Sequence, residues 1–156
     1  MIKKLLEKQS VFNFGLGLFS FFAKRKYFGT ITRYLTGSSA KLNLFLNKPQ
    51  VSQSVKDLAH TWKDLMPPDG QKFFKIGSVD DHTAYTEIHL HCPLRGTGNV
   101  EACYKLMHYD RTLMDQVGGQ LIVLESQSNS GQPYCKLAIR KKEADASDLE
   151  HAHLKQ

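Results

Sequence analysis

Between Ser52 and Gly70, apolar residues fall at Val55, Leu58, Ala59, Trp62, Leu65 and Met66, the three- and four-residue steps of an amphipathic helix. Ser52 or Ser54 can cap it, Lys56, Asp57, His60 and Lys63 form its polar face, and Pro67-Pro68-Asp69-Gly70 stops it. The rhythm then changes to two. Lys72 to Ser78 and Thr83 to Cys92 read as strands joined by the turn-like Val79-Asp80-Asp81-His82. Alternation in the second strand puts Ala84, Thr86, Ile88, Leu90 and Cys92 on one face and Tyr85, Glu87, His89 and His91 on the other. After the loop Pro93-Leu94-Arg95-Gly96-Thr97-Gly98, Asn99 caps a helix predicted to run to Val117, with Glu101 in its first turn and Gly118-Gly119 at its end. Gln120 to Gln127 is the third strand and Ser128 to Pro133 a turn-rich loop. Tyr134 to Arg140 is the fourth strand, in which Cys135, Leu137 and Ile139 share a face.

Two further helices are predicted in the first third, broken near Tyr27-Phe28-Gly29 and ending around Thr36-Gly37-Ser38-Ser39 or at Asn47-Lys48-Pro49. These elements define an α+β class: a four-stranded antiparallel sheet, N-terminal helices, and one helix between strands 2 and 3. A chain of 156 residues with 41% hydrophobic content fits one domain. That domain is expected over residues 1–140. Residues 141–156 form a charged C-terminal tail, large and apolar only at Leu149 and Leu154, read as a short surface helix or a frayed end.

Charge changes the picture of the first third. Of the net +6, residues 1–50 carry +8, from nine Lys and Arg against Glu7. Within them Val11 to Ala23 is largely apolar, with Phe12, Phe14, Leu16, Leu18, Phe19, Phe21 and Phe22. Thirteen residues fall short of the roughly 20 that span a bilayer. Lys24-Arg25-Lys26 stands where a signal peptide needs small residues. The stretch therefore covers the domain's own sheet, or it attaches residues 1–50 to an anionic membrane surface or to another copy of the chain. Nucleic acid is not an expected partner, because no base-reading motif accompanies the basicity.

Cys92, Cys103 and Cys135 are an odd number and lack zinc-finger spacing, which favours reduced thiols in a cytoplasmic setting, peripheral to a membrane if the N-terminus docks there. As bare residues they read as small buried hydrophobes or as members of one site. Asp110 is the acid on an otherwise apolar stripe of Val100, Cys103, Met107, Met114 and Val117, so it is either paired with Arg111, Arg140 or solvent, or functional. His89 and His91 share the strand face opposite Cys92 and are expected to stay outside a cysteine site. There is no G-x-S-x-G, P-loop or G-x-G-x-x-G, which argues against triad hydrolases and nucleotide chemistry.

The segment Thr86-Glu-Ile-His-Leu-His-Cys-Pro-Leu94, the helix reaching Tyr109-Asp110, and Leu124-Glu-Ser-Gln-Ser-Asn-Ser-Gly131 leading to Tyr134-Cys135-Lys-Leu-Ala-Ile139 match in order and spacing a known pattern. Over about residues 70–140 the chain resembles the L-2-amino-thiazoline-4-carboxylic acid hydrolase family. The resemblance implies a small-molecule hydrolase acting on a C=N or amide-like bond of a small carboxylated heterocycle, with Cys92, Asp110 and Cys135 catalytic. Met107 stands where the family has a second cysteine, and Glu125-Ser126-Gln127 replaces its arginine-threonine pattern. In this reading a cysteine supplies a thiolate, as nucleophile or as ligand to a divalent metal shared with the aspartate. Asn99, starting a helix, and Cys103 serve the substrate. The same order also resembles vinyl-reductase-type domains, which implies non-enzymatic binding of a hydrophobic or tetrapyrrole-like ligand, or an adaptor role.

Overall fold

The computed structural model describes residues 8–155. Lys3, Lys4 and Glu7 lie outside them. Helix α1 (Gln9–Ala23) leads through a single 3-10 turn at Lys26–Phe28 into α2 (Gly29–Asn47), which ends at Lys48 in the left-handed region (φ 46°) before Pro49. The later of the two expected stops is the one used. Helix α3 (Val55–Asp64) starts at Ser54, whose hydroxyl accepts from the Asp57 N–H while the Asp57 carboxylate accepts from the Ser54 N–H. Ser52 instead shares a hydrogen bond with Thr61.

The four strands are β1 (Phe74–Val79), β2 (Ala84–Ile88), β3 (Gly119–Glu125) and β4 (Cys135–Lys141), all antiparallel in the order β1-β2-β4-β3. The α+β class with N-terminal helices is therefore the observed one. Strand β2 stops at Ile88, four residues before the predicted end at Cys92, for a topological reason. Ile88 pairs with Cys135, the first residue of β4, so beyond it no strand lies alongside to continue the ladder. Burial still alternates: Leu90 is buried and His91 exposed.

The single helix expected between strands 2 and 3 is two helices, α4 (Val100–Leu106) and α5 (His108–Gln116). The chain breaks at Met107 (ψ 0°), and Leu106 and Met107 at the break are both buried. Helices α3 and α5 lie on the sheet, and α1 and α2 pack over α4 and α5. Trp62, Phe74, Leu58, Leu113, Met114, Leu137 and Ile139 are fully buried between these layers.

The tail is neither a helix nor frayed. Strand β3 is an edge with unpaired carbonyls, and the tail covers part of it: the Ala152 N–H donates to Val123 O (2.7 Å) and Lys155 Nζ to Leu124 O (3.0 Å). Arg140 grips the Asp148 carboxylate with both terminal nitrogens (2.5 and 2.7 Å), and His153 packs on the Tyr104 ring.

Candidate ligand cavity

Helix α1 divides its apolar residues between two faces. Phe12, Leu16 and Phe19 turn inward, with the Phe12 ring edge-on to Phe74 (6.3 Å) and Tyr109 (6.1 Å). They do not fill the space they face. Between α1, α2 and the sheet lies a cavity of about 300 Å³, walled by α1 at Val11, Gly15 and Leu16, by α2 at Leu42 and Leu46, and by Met66, Phe74 and Leu90. A Cβ added at Gly15 meets nothing within 4 Å. The volume is at the small end of ligand pockets, and the lining is predominantly apolar, as such pockets are.

Few polar groups reach this space. The buried Asp110 accepts a hydrogen bond from Trp62 Nε1 (2.9 Å), a partner 48 residues away and not the Arg111, Arg140 or solvent considered from sequence. Burial raises its carboxyl to about 6, against the opposing pull of the Trp62 hydrogen bond and the Arg111 charge. Asn43 donates to Tyr109 Oη (2.7 Å) and to Leu65 O (2.9 Å), tying α2 to α5 and to the end of α3.

Cys92 and Cys135 line the same cavity as Asp110. Gln127, itself buried, joins the two cysteines. Its backbone N–H donates to Cys135 Sγ (3.4 Å) while its side-chain oxygen accepts from the Cys92 N–H (3.3 Å) and Arg95 Nε (2.7 Å). Its amide nitrogen donates to Leu90 O (2.8 Å). Sequence reasoning missed Gln127 because it stands as the polar last residue of the predicted third strand; the strand ends at Glu125, and Gln127 is buried beyond it.

Neither of the two predicted substrate-binding residues reaches the cavity. Asn99 is occupied as the cap of α4, accepting from the Ala102 N–H (2.9 Å), and does not line the cavity. Cys103 points the other way, into a small polar cluster where Ser126 Oγ donates to its sulfur (3.0 Å). His89 and His91 are not among the lining residues. His89 pairs with Glu87 (2.7 Å) and stacks on Tyr134, and His91 is exposed.

Thiolate chemistry finds no support in these surroundings. Burial pushes the Cys135 thiol up to about 12 and Cys103 to about 11, and raises Cys92 as well; the hydrogen bonds from the Gln127 N–H, Ser126 Oγ and the Leu94 N–H only partly oppose this. Among the described residues no three His, Cys, Asp or Glu side chains are grouped to hold a metal ion, so Cys92, Cys135 and Asp110 do not fit the divalent-metal site considered from sequence. No helix of the described residues is long and apolar enough to cross a membrane. No family model, curated protein or solved structure matches this chain.

Proposed function

We propose that this domain binds one small, mainly apolar molecule non-covalently between its helical layer and its sheet, with a polar group of the ligand meeting Asp110. The observation that carries this is the cavity itself: about 300 Å³ of largely apolar space reached by one buried carboxyl. A partly open apolar recess of this size with a few polar groups at its wall has the form of a small-molecule site. The hydrolase reading needs a thiolate at Cys92 or Cys135, and burial of both sulfurs works against it.

The test uses N-phenyl-1-naphthylamine, an apolar fluorophore with a single N–H donor. Wild-type protein is expected to bind it saturably at one site per chain. Gly15→Leu places a side chain in the open space beside α1 and improves helix propensity, so the fold should persist while the site closes. Unchanged dye affinity in a folded Gly15→Leu protein refutes the assignment of the cavity.

A further inference from the structure

The outward faces of α1 and α2 are unusual for a protein surface. Phe14, Leu18 and Phe21 form one stripe along α1, and Ile31, Tyr34, Leu42 and Phe45 another along α2. Their exposure is high: 75% at Phe14, 73% at Tyr34, 71% at Phe45, and 93% at Tyr27 in the turn that joins the helices. At the turn between the helices the rings run from Phe21 to the half-buried Phe22 and Phe28, each pair 5.6 Å apart. Scattered exposed apolar residues are ordinary, but rows of exposed rings on two adjacent helices mark an interaction surface.

Charge selects the partner. From Lys8 to Lys56 the chain contains no acidic residue, while Lys24, Arg25, Arg33 and Lys41 lie along the same two helices and their junction, all exposed. The Arg25 guanidinium sits 3.8 Å over the Phe21 ring, placing a cation at the edge of the rows of rings. A second copy docking through the same patch would bring these cations face to face, because a two-fold contact pairs a surface with itself. An anionic bilayer meets both features at once, accepting the rings at its interface and the cations at its headgroups.

We propose that α1 and α2 together form a docking face for an anionic lipid surface, on which the domain lies peripherally. This goes beyond the ligand-binding reading and stands without it, but the two surfaces adjoin. Leu42 is exposed on the docking stripe and also lines the cavity, so the cavity opens beside the face that would rest on lipid.

The test is co-sedimentation with vesicles of phosphatidylcholine alone and of phosphatidylcholine doped with phosphatidylglycerol, at low and high salt. Wild type is expected to bind the anionic vesicles more tightly, with affinity falling as salt rises. The double variant Phe14→Ser/Phe45→Ser removes only exposed rings and should weaken binding at least tenfold, as should Lys24→Glu/Arg25→Glu. Lys75→Glu, on exposed β1, should not. Equal sedimentation of all variants overturns the proposal. So does a solution mass showing a dimer that the Phe14→Ser/Phe45→Ser variant dissolves, with no vesicle binding. Dye binding in the cavity, measured on the same variants without lipid, should be retained, which separates failure of this face from failure of the cavity reading.

Discussion

Replacing Asp110 by asparagine tests the electrostatics of the cavity directly. The amide keeps an oxygen to accept from Trp62 Nε1 but cannot ionise. In the native protein the carboxyl is raised from 3.8 to about 6, so the folded state holds its proton more tightly than the unfolded chain does. The sign follows: stability is greatest below about pH 4, declines as pH rises toward about 6, and is flat above. A displacement of this size corresponds to about 3 kcal/mol. In Asp110→Asn that decline is absent. The stability of the variant relative to wild type should therefore grow by about 2.4 kcal/mol between about pH 4 and about pH 7.5, whatever fixed offset the new amide introduces. Urea unfolding followed by the fluorescence of Trp62, the single tryptophan, reads both proteins in the same buffers. Every other titrating group cancels in the difference. A constant difference across this interval would refute the reading of Asp110 as a desolvated carboxyl.

The thiols should behave as protected core groups. With Ellman's reagent at mildly alkaline pH, Cys103 and Cys135 are expected to react only on unfolding and the half-buried Cys92 slowly before them, whereas one fast-reacting native thiol would restore the nucleophilic reading. Truncation after Ala146 removes Asp148 from Arg140 and uncovers the β3 carbonyls of Val123 and Leu124. Lower thermal stability and concentration-dependent light scattering are expected, and a truncated protein matching wild type in both would show that the tail is dispensable to the edge.

The elements legible in sequence were those whose signals are local. Ser54 and Asp57 form a reciprocal cap three residues apart, and Asn99 caps its helix through an N–H three residues on. The inward faces of β2 and β4 followed from alternation. What escaped depends on contacts that spacing does not encode. Trp62 and Asp110 each showed in a helical stripe, but nothing in sequence links residues 48 positions apart. The end of β2 at Ile88 depends on where β4 begins, and the break at Met107 interrupts an apolar stripe whose spacing is that of one continuous helix. In sequence the α1 stretch is largely apolar, and only packing shows that Phe12 turns in and Phe14 out. Cys92, Cys135 and Asp110 do meet at one cavity, yet their chemistry is set by desolvation, which identity and order leave open.

The side-chain amide of Gln127 stands where a continuation of β4 would have supported the segment after β2. It receives the Cys92 N–H and holds the Leu90 carbonyl, so that side of the cavity is fastened like a strand without being one. The opposite wall is tied at its start, where the Gln9 N–H donates to Asp69 Oδ1 (2.8 Å). Beyond that bond, α1 has no side-chain cap at Lys8 and no acid in its first turn, and it carries Gly15 and Gly17 with open space at both. The two walls therefore differ in compliance. On the ligand-binding proposal, a guest larger than the resting volume would press on α1 before the Gln127 side, while the carboxyl that meets its polar group is held on α5 by Trp62.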